Sequence, residues 1–440
     1  QWEKFQLKKD TRVSGKMKNK ISNVFRQIFS SLHNRNFRLF FIGQLISNTG
    51  NWITNIALTL LVLHLTHSGL AIGILVACQY GPILLFSVWA GTIADRSNKR
   101  TLLIITQFLE MLQSFVLGMI AFIPNPKLSL IYAVSIAGGL FLAFDMPVRR
   151  SFVTEMVSVK DRPNAVILNS AMVNASRIFG PALAGILVVT VGYGWAFIID
   201  GISYLVVLAA LFMMRESDIM RTPKVEKAKG QIREGLRYIL GIPDLWIPFL
   251  MLLFVGILSY NFSVLFPLFV EHALKGSDSE FTIVYVAFSV GALLSALYAA
   301  YRRTVNVRQI IFGASSLGIT MMMLTFVPNI WVALPIVFLV GVSSITYMTA
   351  TTSIIQVRAD SRMHGRILAL QAVLLIGTTP IGGPIVGAVA DRWGARTPLA
   401  VGGIVAILAA IGGQLLLRRE KNKAVKHDIC ESNLDLTIPD

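Results

Sequence analysis

Gly91-Thr92-Ile93-Ala94-Asp95-Arg96-Ser97-Asn98-Lys99-Arg100 is a short charged break between two long apolar runs, near 71–94 and 101–123. A helix needs about 20 predominantly apolar residues to cross a bilayer core, so both flanking runs can span and the break reads as a tight turn at a membrane surface. Working outward, the pattern recurs. Runs near 37–65, 128–149, 164–191 and 194–214 complete a first set of six, and runs near 245–271, 280–301, 307–327, 330–356, 365–390 and 395–418 make a second set of six. The expected fold is an all-α membrane protein with twelve transmembrane helices in two pseudo-symmetric six-helix bundles.

Composition agrees with that expectation. Of 440 residues, 54% are hydrophobic and 14% charged, against about 25% charged in soluble domains. The formal charge of +17 does not indicate a nucleic-acid partner, because the basic residues collect between every second pair of runs. Arg26, Arg35 and Arg38, then Arg96, Lys99 and Arg100, Arg149, Arg150, Lys160 and Arg162, Arg302, Arg303 and Arg308, and Arg358, Arg362 and Arg366 share one side, with Arg418, Arg419 and Lys421 in the tail. Lys127, Lys275, Arg392 and Arg396 face the other way. Such asymmetry marks the cytoplasmic loops, so both termini are expected in the cytoplasm, which requires an even number of spans. The two cysteines, Cys78 and Cys430, imply neither a disulfide framework nor a metal site. No phosphate-binding glycine loop or Ser-His-Asp set occurs, so neither an enzyme nor a bound cofactor is expected.

The chain divides into a cytoplasmic segment 1–36, a bundle 37–214, a linker 215–244, a bundle 245–418 and a tail 419–440. Ile21, Val24, Phe25, Ile28, Phe29 and Leu32 recur at helical spacing beside Lys20, Arg26 and Arg35, which reads as an interfacial helix. Ile232, Leu236 and Ile239 form a similar stripe in the linker before Pro243 stops it. Echoes relate the bundles: Val157 to Leu168 matches Val357 to Leu368, Gly180-Pro181 with Gly185 matches Gly383-Pro384 with Gly387, and Gly43 and Asn48 fall in register with Gly256 and Asn261. Parallel repeats of this kind imply a substrate path between two bundles that rock around a midplane site.

The 91–100 stretch, a glycine, three residues, Asp-Arg and a basic pair, resembles the signature loop of the major facilitator superfamily, with Asn98 in place of the usual glycine before the basic pair. Gly91 permits close helix approach, and Asp95 is suited to cap a helix or to meet the positive end of a helix from the other bundle. Arg96, Lys99 and Arg100 complete this gating loop. Gly180, Pro181 and Gly185 resemble the antiporter motif of the drug-efflux branch, with Ala184 replacing one glycine. Proline removes a backbone hydrogen bond and kinks the helix, and Ala184 and Gly185 give a facing helix a flat surface. Asp145-Met146-Pro147-Val148-Arg149, Glu234-Gly235-Leu236-Arg237-Tyr238 and Leu265-Phe266-Pro267-Leu268 narrow the resemblance to the drug:proton antiporter branch that includes the enterobactin exporter and macrolide-efflux proteins. The resemblance runs from Asn36 to Arg418. It implies a multi-pass protein of the bacterial cytoplasmic membrane that expels a bulky amphiphilic small molecule, a drug or siderophore, as a proton enters; the alternatives are an importer of a siderophore or lysophospholipid and a non-transporting membrane sensor, and a monomer is expected.

Ionisable residues inside spans are costly and are functional candidates by default. Glu110 lies roughly 13 Å into the third span at about 1.5 Å per residue, near the midplane, and is the best-placed proton carrier. Asp145 and Arg149 are four residues apart and can pair along one helix face. Arg177, four residues before the kink, is suited to receive a carboxylate or an anionic substrate, and Asp200 is expected near the outer end of the sixth span where water reaches it. The second-half counterparts of Asp145, Arg149 and Arg177 are Ile345, Thr349 and Pro380, so coupling chemistry is expected in the first bundle. Asn48, Asn51, Trp52, Asn55 and Thr59 share a face of the first span that is too polar for lipid; this face is expected to line the cavity opposite Tyr260 and Asn261, with Tyr347 and Met348 nearby. His64, His67 and His272 are expected near the outer surface as pH-sensitive loop residues, and no two of them have metal-site spacing.

Overall fold

The computed structural model describes residues 29–220, 231–301, 306–360 and 363–435. Most of the expected interfacial helix, 21–32, lies outside them, and the described end of it is a single 3₁₀ turn, Ser30–His33. Among the described residues the regular structure is helical throughout. The first half is α1 Arg35–Thr66, α2 Gly69–Arg96, α3 Lys99–Ala121, α4 Leu128–Val153 and a continuous helical stretch Arg162–Met213. That stretch turns at Gly192, whose φ of 80° lies outside the helical range and suits a residue without a Cβ; it therefore supplies α5 (162–191) and α6 (193–213). A short linker helix follows, α7 Gln231–Leu240. The second half is α8 over Pro243–Ala273, α9 Asp278–Tyr301, α10 Val307–Thr325, α11 Ile330–Arg358, α12 over Arg366–Trp393 and α13 Thr397–Asp435.

Among the described residues, ten helical stretches are long and apolar enough to cross a bilayer. Twelve spans result because Arg162–Met213 contains two, and because α1 is long enough to span but carries a polar face that lowers its hydropathy. Helix starts are set by short polar side chains that satisfy otherwise unpaired amides: Ser68 accepts from Ala71 N, Asn98 from Thr101 N and Asn329 from Val332 N. Asn306 and Gln309 make a reciprocal capping box on α10. In α8 the helix is interrupted after Leu258, restarts over Phe262–Leu268 and ends in a π segment, Phe269–Ala273.

The linker helix does not simply lie on a membrane surface. Ile239 is buried with Leu245, Phe249, Ile355 and Ile367 in a satellite core, Glu234 pairs with Arg366 at 2.7 Å, and the Tyr238 hydroxyl accepts from Asp360 N. The stripe side chain Leu236 is half exposed, and that of Ile232 lies outside the described residues.

The face on which α1 begins is termed the terminal face, and its opposite the far face. The halves meet most extensively along two pairs of helices. α2 and α12 run antiparallel, so close that a Cβ on Gly69 would sit 2.8 Å from Gly387 O and one on Gly73 2.5 Å from Gly383 O. α5 meets α9 where a Cβ on Gly185 would strike Thr282, 2.5 Å from its Oγ1, and Ala184 beside it is fully buried. Small residues let helix backbones approach in this way.

Candidate functional site

Inside the first half, α3, α4, α6 and α1 enclose a cluster of charge. Asp145 is completely buried, forms an ion pair with Arg149 one turn along α4, and accepts from Thr106 Oγ1 (2.9 Å) and Gln107 Nε2 (2.8 Å) of α3. Gln107 also donates to Glu110 Oε2 at 3.0 Å, so one amide links two carboxylates. Glu110 is 3% exposed, and among the described residues no group meets hydrogen-bond geometry with its Oε1. Asp200 on α6 accepts from Thr54 (2.6 Å), Ser114 (2.7 Å) and Ser203 (3.4 Å), and Tyr204, one turn further, is buried within electrostatic reach of Glu110, Asp200 and Arg149. Three carboxyls thus share one guanidinium. Arg149 in turn donates from Nη1 to Asn48 Oδ1 at 3.0 Å, so the cluster reaches the polar face of α1.

That face is neither sealed in the core nor fully exposed. Asn48, Asn51, Trp52 and Asn55 are half-buried; Asn48 and Asn55 donate to Gln44 O and Asn51 O one turn back. Trp52 lies directly on Gly180, where a Cβ would be 2.5 Å from its ring, so the glycine before Pro181 is a seat for the indole. Arg177 on α5 is exposed, and its charge acts on Tyr80 of α2 and on Tyr260 of α8. Tyr260 belongs to the opposite half, so the guanidinium lies within electrostatic reach of both halves. Tyr260 is itself fixed, donating to Ser344 O at 2.7 Å while Ser344 Oγ donates back to its hydroxyl. Met348 is half-buried.

Several expectations are corrected. Asp200 is not near the outer water: it is 0% exposed, because three hydroxyls from α1, α3 and α6 surround it. Thr59 is buried and donates to Asn55 O. Asn261 is buried at the break in α8 and donates to Ile257 O, filling the interruption rather than lining a cavity. Tyr347 is fully buried behind Gly313, whose Cβ would lie 2.7 Å from its Cα; it faces the interior of its own bundle. In the loop, Lys99 pairs with Glu155, and Arg100 donates to the carbonyls of Leu211 (2.9 Å) and Phe212 (3.2 Å). The basic pair therefore ties α3 to the ends of α4 and α6 within one half. Gly91 is half-buried and Arg96 exposed, while the side chain of Asp95 lies outside the described ones.

Sequence reasoning missed the far face, where polar contacts join the halves. Asp391 at the end of α12 accepts from Ser68 Oγ (2.6 Å), Gly69 N (2.6 Å) and Leu70 N (2.9 Å), capping α2 from the other half. Tyr193 donates to Asp278 Oδ2 at 2.6 Å and lies 2.8 Å from His64 Nδ1. His67 Nδ1 is 2.9 Å from Glu271 Oε1, and His272 is next to that carboxylate. A signal for Asp391 was present: Gly387-Ala388-Val389-Ala390-Asp391-Arg392 repeats the spacing of Gly91 to Arg96. The partners of His67 are some two hundred positions away, beyond the reach of spacing.

Twelve helices in paired halves around a polar, charged interior define a secondary transporter. Residues 27–437 match the family described as transmembrane secretion effector, and the chain belongs to that family of the major facilitator superfamily. It is 23% identical to the staphyloferrin A transporter of Staphylococcus aureus over 88% of this chain and 97% of that one. It is 25% identical to the multidrug efflux pump Tap of Mycolicibacterium fortuitum (84% and 94% covered) and 21% identical to the enterobactin exporter EntS of Shigella flexneri (59% and 62%). Among solved structures it resembles a bacterial homolog of the human lysosomal transporter Spinster, with a TM-score of 0.66 at 16% identity over 87% of this chain and 97% of that one. That likeness shows the fold.

Proposed function

We propose that this chain exports a bulky amphiphile bearing a negative charge from the bacterial cytoplasm, driven by proton entry, with both termini cytoplasmic and the far face outward. The observation that carries the reading is the cluster of Glu110, Asp145 and Asp200 around Arg149. One guanidinium offsets only part of the charge of three buried carboxyls, and a bound proton is the cheapest way to neutralise more of it. The cluster touches the cavity through Asn48, so a change in protonation reaches the surface that holds the substrate. Arg177 is the complementary element: a guanidinium facing the central space, for which no ion-pair or hydrogen-bond partner is found among the described residues, positioned to receive a carboxylate beside the apolar surface of Trp52, Tyr260 and Met348. The relatives named as efflux pumps and as an enterobactin exporter favour export.

The far-face contacts describe the state loaded from the cytoplasm. Substrate enters between the halves from the terminal face, the contacts of Asp391 and Asp278 break, and the far face opens. A proton arriving from outside reaches the cluster and returns the halves to the first state. Asp95, on the opposite end of α2, is the counterpart latch for the terminal face. The reading is tested in proteoliposomes with an imposed pH gradient, using a panel of drugs and siderophores. Glu110→Gln should abolish gradient-driven efflux while substrate exchange without a gradient persists. Full proton-driven efflux by that variant would overturn the assignment, and accumulation under the opposite gradient would mean uptake.

A further inference from the structure

His67, Glu271 and His272 meet on the far face from opposite halves. His67 ends α1 in the left-handed conformation, φ 49° and ψ 29°, with its amide donating to Leu63 O at 2.7 Å. A non-glycine residue rarely adopts that conformation, and here it carries the imidazole away from α1 to Glu271 on α8. Glu271 and His272 are consecutive, and in an α-helix neighbours diverge by about 100°. They lie in the π segment Phe269–Ala273, yet their donor atoms and that of His67 come within 4.8 Å of one another; such segments are rare and favour functional positions. Lys275, just beyond, is also left-handed.

The distances fit a cation. His67 Nδ1 lies 2.9 Å and His272 Nε2 3.9 Å from Glu271 Oε1, and the three donor atoms fall within 4.8 Å of one another. Ligands held at about 2.0–2.2 Å around tetrahedral zinc are roughly 3.3–3.6 Å apart, so the three donor atoms need to close by little to share one ion. His67 is exposed and the other two are part-exposed, which leaves a fourth position open to water. Two imidazoles and one carboxylate suit zinc and its late-transition neighbours rather than calcium or magnesium, which prefer all-oxygen shells. Asp391 lies close enough to feel the charge of His272, adding negative potential at the site.

We infer that His67, Glu271 and His272 form a site for a zinc-class divalent cation that staples the two halves together and holds the far face closed. The effect on flux rests on the alternating-access reading above; the binding does not, so the two are measured apart. Zinc chloride is titrated by calorimetry into the purified full chain in detergent, with calcium and magnesium chloride in parallel. Zinc should bind at one site per chain, calcium and magnesium should not compete, and His67→Ala/His272→Ala should weaken zinc binding at least tenfold. His67→Gln, a milder change at an exposed position, should weaken it as well if the double variant folds poorly. Spin labels on the far-face ends of α1 and α9 should report a single short distance with zinc and a mixture without it. Equal zinc affinity in both variants would overturn the site, and binding that leaves the distance distribution unchanged would overturn the staple.

Discussion

Asp391→Ala isolates the far-face latch. The carboxylate accepts two backbone amides and one hydroxyl at the N-terminus of α2, and all three bonds join opposite halves, so they exist only while the far face is shut. A hydrogen bond to a charged group is worth about 1.5–3 kcal/mol, and the interaction of an anion with a helix N-terminus adds about 0.3–1 kcal/mol at an exposed site. Asp391 is exposed, so much of this is recovered from water when the contact breaks. A net loss of about 2 kcal/mol is therefore the reasonable scale, or about a 30-fold shift toward the open state at 1.4 kcal/mol per tenfold. Asp391→Asn keeps one acceptor and should shift the balance by only about fivefold, near 1 kcal/mol. Double electron–electron resonance across the far face, with labels on α2 and α12 away from the latch, reads the two populations directly. If Asp391→Ala folds normally and the populations stay where they are in the wild type, the latch contributes nothing and the reasoning fails.

Asp95→Asn should act with the opposite sign, raising the far-face-closed population in the same measurement, because its loss weakens the state in which the terminal face is shut. Gly50→Ala places a Cβ against Asp200 Oδ1 and 2.6 Å from Ser203 Oγ; overpacking of this kind costs about 1–3 kcal/mol, so thermal unfolding in detergent should shift downward and gradient-driven efflux should fall with it. Arg177→Ala should raise KM for carboxylate-bearing substrates about tenfold or more, as expected for loss of a charge-assisted bond near 1.5–3 kcal/mol, while leaving neutral amphiphiles nearly unaffected in a transport assay.

Much of this architecture is legible in the sequence, because a membrane helix must satisfy its backbone internally and present an apolar surface to lipid. The Gly192 break falls between the expected runs 164–191 and 194–214, and every other described span ends within a few residues of its apolar run except α13, whose helix continues past 418 to Asp435. What the runs do not reveal is which way a side chain points. Tyr347 and Met348 are neighbours in sequence, yet one is sealed inside the second half and the other is half-exposed. Asp200 was legible as an intramembrane carboxylate but not as a buried one, since the hydroxyls that hold it come from 54, 114 and 203. Gln107 was not legible at all: nothing in a spacing pattern marks an amide that joins Asp145 to Glu110.

The antiparallel register of α2 and α12 explains why one motif occurs at both ends of the pair. Gly69 lies opposite Gly387 and Gly73 opposite Gly383, so moving down α2 toward the terminal face means moving back along α12 toward its start. Carried through the full length of α2, that register brings Asp95 to the level of the beginning of α12, as it brings Asp391 to the beginning of α2. Each helix thus ends in a carboxylate at the level where the other begins, and a helix start offers unpaired amides and a positive dipole end. On the proposed alternating-access cycle, rocking the halves about the close glycine contacts separates Asp391 from the start of α2 as it brings the terminal-face end of α2 toward the start of α12. On that proposal the two ends offset one another in energy, both end states lie within a few kcal/mol, and a proton on the Glu110 cluster or a substrate on Arg177 decides between them.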